Sequence, residues 1–266
     1  MLKKILLLCS LIFSPIVLAN EPQSKCEFCD LRYAQYQYVS FSNANYTGSY
    51  MFRINLTRAT LENSVFESTN LIRSILERGN FSNANFDKSD LSSSNLYGAT
   101  FNGATFTFAN LDDSYLEAAE LTNANLTGAS LKGANMISVF ADNASFIDTN
   151  LSKSNLKLGN FEKSLFDGSN MSQSNMVSAN FHKAFLKDVS MMNSNLSNTD
   201  LSFANLSNTL LNGANLTSAN LYGSTLKNTN FTNANLTDAN LSSTLKEGII
   251  FCNTIMPDGE MNNDDC

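Results

Sequence analysis

The sequence predicts an all-β solenoid, a chain that turns a corner every five residues and stacks on itself. Two regularities predict it. From Leu31 to Leu241 every fifth residue is a bulky core type, running Leu31, Tyr36, Phe41, Tyr46, Met51, Leu56 and onward through 43 positions without an insertion, with one lapse at Ala141. Two residues before each of these the side chain is small, as at Ala44, Ala59, Ser64, Ser74, Gly79 and Ala84, and only Ile54 is truly large. A helix needs apolar residues at spacings of three and four, and a half-buried strand needs spacing two, so a strict spacing of five suits neither. It suits corners, with the large residue and the small one both facing inward. Units of fixed period bury their apolar faces only by stacking on their neighbours.

The residue between the small and the large one is often Asn, as in Asn125-Leu126-Thr127-Gly128-Ala129, Gly213-Ala214-Asn215-Leu216 and Thr232-Asn233-Ala234-Asn235-Leu236. Over residues 29–245 this pattern resembles the pentapeptide-repeat family, whose unit reads Ala-Asp/Asn-Leu-x-x. The resemblance implies that family's fold, a right-handed quadrilateral β-helix with four pentapeptides per coil. The phenylalanines support four sides independently. Counted in twenties, Phe41, Phe81, Phe101, Phe161 and Phe181 fall on one side and Phe66, Phe86, Phe106, Phe146 and Phe166 on the next, with only Phe231 elsewhere. Rings in adjacent coils are expected to form ladders along the axis. With coils about 4.8 Å apart, the stack is on the order of 50 Å long. The small residues are steric, since a narrow square bore cannot hold two large side chains per side.

The unbroken frame leaves no linker for a second domain, so residues 31–245 are read as one solenoid between a cap at 20–30 and another at 246–266. Ahead of them Met1-Leu2-Lys3-Lys4 leads into an apolar run from Ile5 to Leu18 that closes on Val17-Leu18-Ala19. A basic start, a short apolar core and small residues before a cut describe a secretory signal peptide over residues 1–19. The run is short for a span of about 20 residues and Pro15 interrupts it, so no transmembrane anchor is expected after cleavage. The protein is read as exported, periplasmic or secreted.

The cysteines outside that leader sit only at the ends: Cys26 and Cys29, then Cys252 and Cys266. An even number in an exported chain suggests disulfides. Solenoid ends expose backbone edges and open core and need caps. A Cys252–Cys266 bridge would hold Met256-Pro257-Asp258-Gly259 over the last coil, and Cys26-x-x-Cys29 would staple the first. The tail from Phe251 to Gly259 also resembles the ending of many exported family members. The competing reading of Cys-x-x-Cys is a redox or zinc site.

Catalytic chemistry is not in evidence. His182 is the only histidine and takes an outward position, which excludes multi-histidine metal sites and argues against a Ser/His or Cys/His catalytic group. Carboxylate pairs such as Asp112-Asp113 occur, but a convex rod lacks the cleft a glycosidase needs. No enzyme, cofactor or metal is expected.

Stacked in columns of twenty, the outward residues offer two candidate binding features. Arg53 lies one coil from Arg73, and Arg58 one coil from Arg78, on neighbouring sides. Four guanidinium groups near one corner suit a phosphate or carboxylate. The alternative is a solvated charge network in which Glu62, Glu67 and Glu77 neutralise them. The second feature is apolar: Tyr97, Ile137, Leu158 and Val177 on one side, with Phe140 at its corner. Either Ala141 marks a distortion that aims Phe140 outward into a protein contact, or Phe140 folds inward to replace the missing core side chain.

Net charge is −7, and −9 once Lys3 and Lys4 leave with the leader. That disfavours direct nucleic-acid binding, which needs basic stripes. The expected role is a non-enzymatic exported β-solenoid, a protein-binding or structural module of the cell envelope or extracellular space. One alternative is a DNA-mimicking modulator of topoisomerase, since the resemblance includes cytosolic acidic rods that occupy the DNA channel of gyrase. A secreted, host-directed factor is the other. An ice-binding face would need regular Thr columns, and the column Thr57, Glu77, Tyr97, Glu117, Ile137, Lys157, Val177 has none. The partner's identity and the oligomeric state stay open at this level.

Overall fold

The computed structural model describes residues 25–266, so the expected signal peptide lies outside the described residues. The chain is a right-handed quadrilateral β-helix. Parallel bridges join each corner residue to the one twenty positions on, from Lys25↔Asn45 to Asn235↔Ile255. Buried backbone groups must all find partners, and one pentapeptide shows how they do. The Leu96 N–H donates to Tyr115 O (2.7 Å) and Gly98 N–H to Glu117 O (3.0 Å), both in the next coil. Thr100 N–H donates back to Gly79 O (2.9 Å), and Ala99 N–H closes a turn on Leu96 O (3.1 Å). The fifth N–H, of Tyr97, donates to the side-chain Oδ1 of Asn95 (3.0 Å).

That last bond explains the recurrent Asn. Its oxygen caps the turn two residues on, while its amide can donate to the Asn or Asp one coil below, as Asn180 Nδ2 does to Asn160 Oδ1 (2.8 Å). Where no Asn or Asp stands two residues before the turn N–H, as at Ser130, an Asn or Asp one coil earlier supplies the oxygen, as Asp112 Oδ1 does for the Lys132 N–H (2.9 Å). The third residue of each turn has positive φ, 55° at Arg53 and 69° at Gly128, the conformation a type II turn demands at that place.

Both inward positions are buried throughout the middle of the stack. Phenylalanines form the expected ladders and also interlock across the corner. Phe86 stacks on Phe106 (5.0 Å, 6°), while Phe101 meets Phe106 edge-on (5.2 Å, 72°). Such pairs each add about 0.5–1.5 kcal/mol beyond area burial. Phe231, off these columns, stacks on Phe251 (5.6 Å). Steric exclusion by the rings is direct: a Cβ on Gly79 or Gly159 would stand 2.5 Å or 2.6 Å from the ring of Phe81 or Phe161.

At the lapse in the repeat the structure corrects the sequence reading. Val139 fills the small position and Ala141 the large one, both wholly buried, so volume is exchanged between the two rather than lost. No distortion follows: Phe140 N–H donates to Ala119 O (2.9 Å) and Ala141 N–H to Asn160 O (2.8 Å), in the regular ladder. Phe140 does not fold inward; it faces solvent at 51% exposure.

The ladder runs into both expected cap segments. In the first coil Leu31, Ala34, Tyr36, Val39 and Phe41 are only partly buried, and Cys26 and Cys29 lie at disulfide distance, with sulfur atoms 2.05 Å apart. Ser49 Oγ donates to Cys26 O (2.6 Å) and accepts from the Cys29 N–H (3.1 Å). At the other end β1 (Thr254–Ile255) and β2 (Met261–Asn262) pair antiparallel. Cys252 and Cys266 sit at disulfide distance there (2.20 Å), and Asp265 accepts the Phe251 N–H (2.8 Å).

Candidate functional site

With the bore filled, recognition falls to the outer faces, and turn geometry decides what stands there. A third-position side chain leans toward the coil that follows. A Cβ on Gly48 would meet the Phe28 ring at 2.5 Å, and one on Gly128 would meet Phe108 at 2.5 Å, so glycine stands where the preceding coil sends a ring across.

Arg53, Arg58, Arg73 and Arg78 all hold third positions, with φ of 53–56°, and all are exposed. Arg53 and Arg73 share one side, and Arg58 and Arg78 share the next. Three guanidinium groups lie over aromatic rings: Arg53 over Phe52 (5.3 Å), Arg58 over Tyr38 (5.9 Å) and Arg78 over Tyr97 (5.5 Å). Tyr33 meets the Phe52 ring edge-on at 5.6 Å.

The alternative reading, neutralisation by Glu62, Glu67 and Glu77, is not realised as direct ion pairs. Among the described residues no carboxylate oxygen lies within 4.0 Å of these four arginines. Glu62 accepts from Asn80 Nδ2 (2.5 Å), Glu67 pairs with Lys88 (3.0 Å) and Glu77 accepts from Asn95 Nδ2 (3.5 Å). The square section explains two of these: five residues along the chain is one side around it, which puts Glu62 and Glu67 on the two sides away from the arginines, whereas Glu77 shares the side of Arg58 and Arg78 and turns to Asn95 instead. Arg32 is the contrast. It pairs with Asp30 (2.5 Å), and this hydrogen bond holds the Asp30 carboxyl below its ordinary pKa.

The apolar candidates do not form one surface. Phe140 and Leu158 are about half exposed, while Tyr97, Ile137 and Val177 are partly buried. Lys157 stands between Ile137 and Val177 in their column, and Tyr97 packs on Tyr115 (6.1 Å) and under Arg78.

A different aromatic row escaped sequence reasoning. His182 meets Phe203 edge-on (5.7 Å), Phe203 meets Tyr222 edge-on (5.5 Å), and His182 Nδ1 lies 2.8 Å from Ser202 Oγ. Stacking the outward residues on that side by twenty aligns His182, Ser202 and Tyr222, a signal that was present. Among the described residues no group of His, Cys, Asp or Glu is arranged to hold a metal ion, and no helix is long and apolar enough to cross a membrane.

Comparison with known proteins places this geometry. The family profile described as Pentapeptide repeats matches in eight copies, in segments that together span residues 49–256. No curated protein matches the chain. Among solved structures the chain is similar to HetL, a pentapeptide repeat protein involved in heterocyst differentiation regulation from the cyanobacterium Nostoc sp. strain PCC 7120 (25% identity, 89% of this chain and 92% of that chain covered, TM-score 0.39). It is also similar to QnrB1, a plasmid-mediated fluoroquinolone resistance protein (14%, 82% and 92%, 0.47). A third is Rfr23 from the cyanobacterium Cyanothece 51142 (28%, 44% and 90%, 0.28). These structural scores are low, and the assignment rests on the profile and the coil.

Proposed function

The chain belongs to the pentapeptide-repeat family, and on that premise we propose that it is a non-enzymatic, exported protein-binding or structural module of the cell envelope or extracellular space. Members of the family are generally structural or binding modules. One observation carries the reading here: the inward residues from Met51 to Leu236 are fully buried against each other, so the protein occupies its own bore and offers partners only its outside. Export is supported by the basic-then-apolar leader of residues 1–19 and by cysteines confined to the two ends of the solenoid.

Intact mass of the native protein from separated cell fractions tests this. The expected species lies outside the cytoplasm, lacks residues 1–19, and is about 4 Da lighter before reduction than after, from two disulfides. A full-length, fully reduced cytoplasmic protein overturns export.

A DNA-mimicking rod directed at gyrase would need continuous acidic columns. The column that holds Asp113 also holds Arg53 and Arg73, which weighs against that role. Gyrase supercoiling is expected to proceed unchanged in the presence of the protein.

A further inference from the structure

We propose that the corner carrying Arg53, Arg58, Arg73 and Arg78 binds an acidic protein segment, its carboxylates held by the guanidinium groups and its aliphatic side chains by the apolar residues between them. The inference deepens the binding-module reading and rests on it.

Residue choice is the first support. All five arginines of the chain fall between residues 32 and 78, and every other basic residue except His182 is lysine. Solubility alone is served equally well by lysine. A planar fork that grips a carboxylate through two parallel hydrogen bonds is served only by arginine.

Pairing is the second. Arg32, one coil before Arg53 on the same side, already has its carboxylate in Asp30. The four corner arginines have none within 4.0 Å among the described residues. Three of them instead rest over Phe52, Tyr38 and Tyr97. A ring attracts the guanidinium charge without accepting from its N–H groups, so these contacts hold the arginines without using their hydrogen bonds.

The apolar neighbours decide between partner classes. Phe52 and Ile72 stand beside Arg53 and Arg73, Tyr97 lies under Arg78, and Ile75, 37% exposed, lies between the two arginine columns. A phosphate polymer or a lipid headgroup makes no use of such groups. A peptide alternating acidic and aliphatic side chains uses both, and arginine with tyrosine is the composition that dominates binding energy at protein interfaces. Rows of arginine about 4.8 Å apart also match the spacing of neighbouring β-strands.

The test is calorimetric titration of the full chain with a synthetic Glu-Leu alternating peptide, polyphosphate and phosphatidylglycerol vesicles in parallel. The Glu-Leu peptide is expected to bind most tightly. Arg53→Lys/Arg73→Lys, which keeps the charge and loses the fork, is expected to weaken it at least tenfold, whereas Lys153→Gln/Lys163→Gln leaves it unchanged. Undiminished binding by the Arg→Lys protein, tighter binding of polyphosphate or vesicles, or no peptide binding by the wild-type protein each overturns the assignment. Export is read separately by mass in cell fractions, so failure of one experiment does not imply failure of the other.

Discussion

Phe66 and Phe86 stack one coil apart, with ring centroids 4.6 Å apart and planes within 2° of parallel. Phe86 also stacks on Phe106 and meets Phe81 and Phe101 edge-on, which makes it the crossing point of both ladders. Removing it leaves a void that its neighbours cannot fill, because their positions are set by the coils above and below. Phe86→Ala is therefore expected to cost about 3–5 kcal/mol in denaturant unfolding. Phe86→Leu is expected to cost markedly less, and equal costs would show that ring stacking is incidental.

Gly79 and Phe81 form a tighter pair. A Cβ on Gly79 would stand 2.5 Å from the Phe81 ring and 3.2 Å from Leu76 O. Gly79→Ala is expected to destabilise by about 1–3 kcal/mol through overpacking. Phe81→Leu in the same chain should recover part of that loss, so a double-mutant cycle is expected to show coupling. Strict additivity would place the strain elsewhere.

Tyr46 supplies a pH signature. It lies 5% exposed against Phe66, and burial, with a smaller contribution from Tyr36, pushes its phenol up to about 12. The folded state therefore holds this proton at pH values where the unfolded chain has released it. The contribution of this group to stability is fully present below pH 10, the ordinary phenol value, and is lost as pH rises from there toward 12. Phenolate absorbance should show a late phase near pH 12, and Tyr46→Phe should remove it. Loss of the late phase without the substitution would mean that the second coil opens first.

Register supplies the fourth test. Every parallel bridge joins residues twenty apart, so deleting residues 201–220 removes one coil and keeps every column aligned. Deleting 201–205 turns all later residues by one side and sets Phe, Asn and Ser columns against the wrong neighbours. The longer deletion is expected to unfold cooperatively with stability reduced by about one coil's share. The shorter one is expected to lose cooperativity. Equal tolerance would argue against the four-sided coil.

Much of this molecule is legible in its sequence because the inward positions have no freedom. Leu96 and Ala99 recur in type every five residues since a square bore admits one large and one small side chain per side, and the phenylalanines separate into two columns at a spacing of twenty. The Asn between them was visible as a regularity without its cause, which is the turn N–H that Asn95 caps for Tyr97. The lapse at Ala141 reads as a defect in the sequence because the compensating volume stands two residues away, where Val139 fills the small position.

The sequence by itself determined the period, the four sides and the ring ladders, all consequences of repetition under steric constraint. Only the tertiary structure decided the surface. Outward side chains carry rotamer freedom, and their neighbours are set by the lean of each turn and by the side they occupy, not by nearness along the chain. That is why Glu62 and Glu67 serve Asn80 and Lys88, while Arg58 and Arg78 rest on Tyr38 and Tyr97 with their hydrogen-bonding edges free.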